Sequence, residues 1–280
     1  MITTPLSRSS PSGESEIIST REGHLRAILA GMESAVVAYS GGVDSTYLAC
    51  VAYESFGDRA LIVTAQSPSM PEAEYVFAAT LARERGWNFR AIETHETADS
   101  RWQSNDADRC YFCKAELFGV LTNLANQEGI RHILYGAIPE DARDVRPGQR
   151  AATEFAVCAP LVEAGLTKPE IRWLSRKRGL PSWDKPQMAC LASRFATGTK
   201  ISDDALRQVD RAEAALQALG FVGHRVRYHG EIARIELQQD DWNKIADADR
   251  RGRVVDHVRQ FGFRYVTLDL AGYRPAGQNT

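Results

Sequence analysis

The sequence predicts an α/β fold, a parallel sheet with helices on both faces, followed by a small C-terminal α+β domain. Three observations carry this. Apolar strand-like runs alternate with helical patterns through the first half of the chain, the order that builds parallel sheets covered on both sides. The first such run, Val36-Val37-Ala38-Tyr39, ends in Ser40-Gly41-Gly42-Val43-Asp44-Ser45-Thr46 and passes into an apolar helical stretch. After Gly220 the pattern changes to short alternating runs around His229-Gly230, two short helices and a last strand, which marks a second domain.

Taken in order, residues 1–20 read as a disordered leader. Met1 to Glu16 is rich in Ser, Pro and Gly and has no basic segment ahead of an apolar run, so it is no signal peptide. Glu22 to Gly31 reads as a helix leading into the first strand. Ala60 to Ala65 is a buried strand by composition. Pro71 to Arg85 is a helix, with Pro near its start and Gly86 after its end. Trp87 to Thr94 is a third strand, Cys113 to Glu128 an amphipathic helix, and Arg131 to Ala137 a fourth strand. Asp141 to Arg150, charged and holding Pro147-Gly148, reads as a loop. Thr167-Lys168-Pro169-Glu170 is a capping box opening a helix to Arg178. Pro181 to Thr199 reads as an ordered loop, and Ser202 caps a helix over 203–219. The domains expected are 21–180, a cysteine-bearing loop 181–201, and 202–280.

The chain has 280 residues, a formal net charge of −2, 44% hydrophobic and 25% charged residues. That balance is ordinary for a globular protein and argues against a dedicated nucleic-acid binder, which is strongly basic. No apolar run nears the roughly 20 residues that span a bilayer. The expected location is therefore cytoplasmic, where five cysteines are not expected to form a disulfide framework.

The Ser40–Thr46 segment is an anion site by construction. Glycines let backbone N–H groups approach phosphate oxygens, and a helix N-terminus favours negative charge. Ser40 and Ser45 add hydroxyls. Asp44 cannot bind phosphate itself, so a Mg²⁺ ion between the two is the natural reading. Cys110 and Cys113 form a Cys-x-x-Cys pair that fits a redox dithiol, half a zinc site or neither. Cys50 and Cys158 lie in apolar settings and read as structural. Cys190 differs: Lys185 and Arg194 flank its loop, a setting that favours a nucleophilic thiolate. Arg225 and Arg227 share one face of a strand, opposite Arg234 and Glu236, and can form a fork for phosphate or a salt-bridged face. Trp183 and Tyr111 could stack on a cationic ring. His95 and His132 are given no role.

The glycine loop lacks the Gly-Lys-Ser/Thr of a Walker motif and resembles the pyrophosphate (PP) loop of the ATP-pyrophosphatases, with their adenine nucleotide alpha hydrolase-like fold. Across nearly the whole chain after residue 20 the sequence resembles the sacrificial sulfur transferases of that superfamily, the pyridinium-bisthiocarboxylate mononucleotide synthases of nickel-pincer cofactor biosynthesis. The resemblance rests on the loop, on Asp108-Arg109-Cys110-Tyr111-Phe112-Cys113-Lys114, on Asp144-Val145-Arg146-Pro147-Gly148 and on Val157-Cys158-Ala159-Pro160-Leu161. It continues through Trp183-Asp184-Lys185-Pro186, Ala189-Cys190-Leu191-Ala192-Ser193-Arg194, Arg225-Val226-Arg227-Tyr228-His229-Gly230 and Ala233-Arg234-Ile235-Glu236.

The resemblance implies that ATP adenylates a carboxylate of a pyridinium biscarboxylate mononucleotide and that Cys190 then displaces AMP. In the sacrificial version Cys190 gives up its sulfur and becomes dehydroalanine. It implies ATP contacts at Ser40, Gly41, Gly42, Asp44, Ser45, Ala65 and Gly136, Mg²⁺ at Asp44, and a substrate-phosphate site at Ser193, Arg194, Arg225 and Arg227. Related sulfur-inserting enzymes hold a [4Fe–4S] cluster with a Cys-x-x-Cys pair and one distant cysteine. Cys110, Cys113 and Cys190 are accordingly expected to bind such a cluster, through which sulfur passes catalytically. A homo-oligomer, trimer or hexamer, is implied, with a small nucleotide as partner and neither membrane nor nucleic acid. The rivals are a tRNA thiolase of the same superfamily, an amide-forming ligase of the NAD synthetase type, and a non-catalytic nucleotide- or zinc-binding protein.

Overall fold

The computed structural model describes residues 11–143, 147–187 and 189–273. The elements run α1 (Pro11–Ala30), β1 (Ala35–Ala38), α2 (Val43–Phe56), β2 (Ala60–Gln66), α3 (Glu72–Glu84), β3 (Phe89–Glu93), α4 (Ser100–Gln103), α5 (Arg109–Gln127) and β4 (His132–Tyr135). They continue with α6 (Pro147–Glu154), α7 (Pro160–Glu163), α8 (Lys168–Lys177), α9 (Asp203–Ala218), β5 (Arg225–His229), β6 (Ile232–Glu236), α10 (Trp242–Ala246), α11 (Ala248–Arg259) and β7 (Tyr265–Leu268).

The first four strands form a parallel sheet in the order β3-β2-β1-β4. β1 pairs on both sides, with Ala38 opposite Val63 and Tyr135. The second sheet is mixed: β5 and β6 are an antiparallel hairpin turning at Gly230 (φ 64), and β7 lies parallel to β6. The expected α/β sheet with a separate α+β portion is what forms.

The chain divides into two units, but not at the linear boundaries expected. One holds the described residues up to Ala65 with Ala78–Ile92 and Phe118–Pro186; the other holds Gln66–Phe77, Glu93–Leu117 and the described residues from Gln187 on. Each has its own apolar core. The first is built around Val37, Tyr47, Leu48, Ile62, Leu134 and Leu161. The second is built around Trp102, Leu191, Leu206, Val226, Ile235 and Val258. Segments from the first half of the chain thus fold with the C-terminal half, because Trp102 and Phe112 supply apolar surface to that second core.

Three local expectations need correcting. Residues 11–20 of the expected leader are helical, since α1 starts at Pro11 and sets Ile18 against the first core; the rest of the leader lies outside the described residues. The loop expected over 141–150 contains the start of α6, where Pro147 opens a helix instead of interrupting one; 144–146 lie outside the described residues. α5 begins at Arg109 rather than Cys113, so both cysteines of the pair are helical.

Candidate functional site

In the first unit, β1 carries the chain to the glycine loop at the carboxyl end of a central strand, where open α/β sheets bind ligands. α2 follows with Gly42 as its N-cap, so no side chain caps the first-turn amides and they stay open to an anion. Gly41 has φ 72, a conformation that favours glycine. The Ser45 hydroxyl accepts the Ser40 N–H at 3.2 Å, lies 3.0 Å from the Ser40 hydroxyl and donates to the Gly42 carbonyl at 3.3 Å. Gly136 follows β4 and comes so close that a Cβ there would sit 2.9 Å from the Ser45 nitrogen and 3.0 Å from its Cα. Both are backbone atoms, so only glycine fits. Ala65, near the end of β2, and Gly136 thus sit at the carboxyl ends of the strands flanking β1.

Asp44 accepts a bond from Lys168 Nζ at 2.5 Å, and its Oδ1 is buried with no hydrogen-bond partner. Burial raises the Asp44 carboxyl above its ordinary value, and Lys168 opposes the rise. Lys168 opens α8, whose capping box of Thr167 and Glu170 is fully formed, and its N–H donates to Glu140 Oε1 at 3.0 Å. Arg172, one turn on, donates to the carbonyls of Trp183 and Lys185, and Lys185 Nζ reaches the Gly41 carbonyl at 3.4 Å. Neither lysine was marked by the sequence as part of the nucleotide loop, because nothing local ties residues 168 and 185 to residue 44. The Trp183 ring lies beneath Arg176, and the Tyr111 ring stands edge-on to Phe112.

In the second unit, Cys110 and Cys113 occupy the first turns of α5. Cys190 is the N-cap of a short 3-10 turn, Leu191–Arg194. Cys110 and Cys190 are exposed, while Cys113 is half-buried. Burial pushes the Cys113 thiol up to about 12; Glu96, Cys190 and Cys110 add to the rise and Lys114 opposes it. The other two cysteines therefore stand close enough to bear on its titration. Cys50, by contrast, is buried on α2, donates to Glu54 and is pushed up to about 12, an inert thiol.

The Cys190 turn is braced on every side. The Leu191 N–H donates to the Ser69 carbonyl at 2.8 Å. Ser69 and Ser67 in turn donate to the buried Glu96 carboxylate. Arg109 donates to the Ala192 carbonyl at 3.2 Å. Arg194, 1% exposed, donates to the carbonyls of Ala189 (2.6 Å) and Cys190 (2.9 Å) and to the Ser193 hydroxyl, and pairs bidentately with Glu213. Arg227 pairs bidentately with Glu236 and donates to the Ser193 carbonyl at 2.8 Å. Arg225 is buried, donates to the His224 carbonyl and lies over the Tyr273 ring. Arg194 and Arg227 both bond Ser193, and their charges bear on Arg225. The forks of Arg194 and Arg227, however, are spent on protein carboxylates, and their remaining donors hold the turn. Glu96, Glu213 and Asn105, which takes a bond from Arg109, were missed; no local signal in the sequence singles out any of them.

The fold and these loci define an α/β protein with a glycine loop of uncapped amides at a strand's carboxyl end and, in its second unit, three cysteines on or beside a braced turn. The chain belongs to the family of pyridinium-3,5-bisthiocarboxylic acid mononucleotide synthase: it is 35% identical to that protein of Lactiplantibacillus plantarum over 264 residues, 94% of this chain and 95% of the relative. It is 41% identical over 256 residues to an uncharacterized protein of Synechocystis, covering 91% of this chain and 96% of the other. An uncharacterized protein of Methanocaldococcus jannaschii is 26% identical over 239 residues, 85% of this chain and 90% of the other. No family model matches the chain. Among the described residues no helix is long and apolar enough to cross a membrane.

Proposed function

We propose that this protein is an enzyme of nickel-pincer cofactor synthesis, an ATP-dependent sulfur transferase of the ATP-pyrophosphatase type. It converts a carboxylate of a pyridinium biscarboxylate mononucleotide into a thiocarboxylate. The observation that carries this reading is the exposed Cys190 thiol at the head of a braced turn, sharing a unit with Cys110 and Cys113 in a chain of the synthase family.

In the first half-reaction a substrate carboxylate oxygen attacks the α-phosphorus of ATP and pyrophosphate departs. The open amides of the Ser40–Ser45 loop, with backbone at Ala65 and Gly136, hold the nucleotide, and Lys168 and Lys185 supply positive charge. The buried, unpartnered Asp44 Oδ1 fits a hard divalent cation. Mg²⁺ bound there would neutralise phosphate charge. In the second half-reaction the Cys190 thiolate attacks the acyl carbon and AMP, the good leaving group that adenylation installed, departs; cleavage of the Cys190 Cβ–S bond then leaves sulfur on the product as thiocarboxylate and dehydroalanine on the chain. The substrate's phosphate is assigned to the cluster of Ser193, Arg194, Arg225 and Arg227, where Glu213 and Glu236 balance two of the three guanidiniums and leave a net positive charge.

Cys110, Cys113 and Cys190 are the residues that would hold a [4Fe–4S] cluster. Among the described residues no three His, Cys, Asp or Glu side chains converge as ligands of a single ion would. A cluster asks for something else, one thiolate at each of several irons, and three cysteines in one unit, two of them bearing on the third, suit that donor set. A cluster held there would supply sulfur between turnovers in place of the Cys190 sulfur itself. The reading also makes the protein a trimer or hexamer, which light scattering measures.

The test is to purify the protein without oxygen, measure iron and acid-labile sulfide per chain, and assay AMP, pyrophosphate and thiocarboxylate formation. Cys190→Ala is expected to abolish thiocarboxylate. Full activity in that variant would favour the amide-ligase rival, and thiolation of tRNA by the wild type would favour the tRNA thiolase. Multiple turnovers by Cys110→Ala without bound iron would remove the cluster from this reading.

A further inference from the structure

The carbonyl oxygen of Cys190 receives two hydrogen bonds, from the Ser193 N–H at 3.0 Å and from Arg194 Nη1 at 2.9 Å. Two donors at about 2.7–3.1 Å on one oxygen are the geometry that stabilises a developing oxyanion. One donor is a guanidinium 1% exposed, and water-excluded donors act more strongly than solvated ones. It is preorganised as well: Glu213 holds its other edge bidentately and is itself fixed by the Val226 N–H at 2.9 Å. The Cys190 side chain stays exposed to solvent.

We infer that Arg194 is an electrophilic catalyst at Cys190, polarising that residue's own carbonyl so that its Cα–H becomes acidic and its sulfur can leave by elimination. The inference rests on the reading that Cys190 takes up the acyl group. Hydroxide from solvent removes the Cα proton, and negative charge develops on the doubly held oxygen. The electron pair then forms the Cα=Cβ bond and the Cβ–S bond breaks. Sulfur departs with that pair as the thiocarboxylate of the product, and residue 190 is left as dehydroalanine. No oxidant or reductant is consumed. Acylation makes sulfur a good leaving group, so the free thiol survives until substrate is attached. With no cluster on Cys190, the chain thereby has a single-turnover route, and Arg194 is the residue that equips it.

The experiment uses the full-length wild type and neither ATP nor substrate. A dibromide that turns exposed thiols into cyclic sulfoniums supplies the leaving group, and mass spectrometry follows dehydroalanine at position 190 against the exposed Cys110 of the same molecule. Elimination at 190 is expected to be about 10²-fold faster, the usual worth of an oxyanion donor. The ratio should fall towards parity in Arg194→Lys, with Cys190 still alkylated, and likewise in urea-unfolded wild type, which covers the case of a variant that does not fold. Equal rates at the two positions in the folded wild type, or an unchanged ratio in folded Arg194→Lys, would overturn the inference. Either result leaves the sulfur-transferase reading to its own assay, while full activity of Cys190→Ala would sink that reading without altering the elimination rates.

Discussion

The glycine loop and the Cys190 turn are both short irregular segments that present chemistry at the head of a helix, yet they are held in opposite ways. The loop is stapled mainly by its own neighbours, Ser40 and Ser45, and by one close backbone approach from Gly136. The turn is held by residues far away in sequence, Ser69, Arg109 and Arg227, and by Arg194 anchored on Glu213. Its strongest braces are buried ion pairs, which are costly to break because each leaves a charge in an apolar surround. The loop should therefore fail by steric intrusion and the turn by loss of charge balance.

The sharpest break in that comparison is Arg227→Ala. Glu236 is fully buried, and removing its bidentate partner leaves it only Arg234 at 3.4 Å, so the loss should be about 3 kcal/mol of stability, the lower end for a broken buried pair, read by urea unfolding. The double variant Arg227→Met/Glu236→Leu removes both charges and should recover most of that loss. A single variant within 1 kcal/mol of wild type, on the order of an exposed pair, would mean that charge balance does not hold the turn. Gly136→Ala comes next. The added methyl meets Ser45 backbone at 2.9 Å, so the loop must shift, at about 1–3 kcal/mol and with ATP binding weakened well beyond what the stability loss explains; isothermal titration with ATP measures it. Thr167→Ala should be milder, about 1 kcal/mol for a lost N-cap. Because that cap sits one residue before Lys168, the loss should weaken ATP binding only slightly; strong weakening would show that the loop leans on distant residues as the turn does.

The same contrast explains what the sequence disclosed. The loop, its strand and its helix lie within about one supersecondary unit, so apolar alternation and two glycines sufficed to place Ser40–Ser45 at a strand's carboxyl end. The capping box at Thr167 and the hairpin at Gly230 were legible for the same reason. Lys168 was invisible as a partner of Asp44 because the contact spans more than a hundred positions. No local signal singles out Glu96 and Glu213, which folding buries beside serines and an arginine. The spacing of Arg225 and Arg227 gave their shared face correctly, but period alone cannot say whether a fork meets a ligand or a buried glutamate. The division into units was illegible since Trp102 and Phe112, early in the chain, pack in the later core.

The smallest effect at neutral pH is expected of Cys113, and it separates the three thiols of the turn region. Its proton is held by burial, with a value raised from 9.0 to about 12. In the unfolded chain the same thiol ionises near 9.0, so below that pH both states carry the proton and Cys113 contributes no slope. Above it the unfolded chain loses its proton first, and stability falls as pH rises from about 9 towards 12. Cys113→Ala should therefore match the wild type's pH dependence up to pH 9 and show a shallower decline beyond it, with the raised Cys50 contributing equally to both. Alkylation gives the companion readout. At pH 8, in protein free of iron, the exposed Cys110 and Cys190 should label with iodoacetamide while Cys113 stays unmodified; labelling of Cys113 at the rate of Cys190 would show that burial does not set its proton and that the turn region opens in solution.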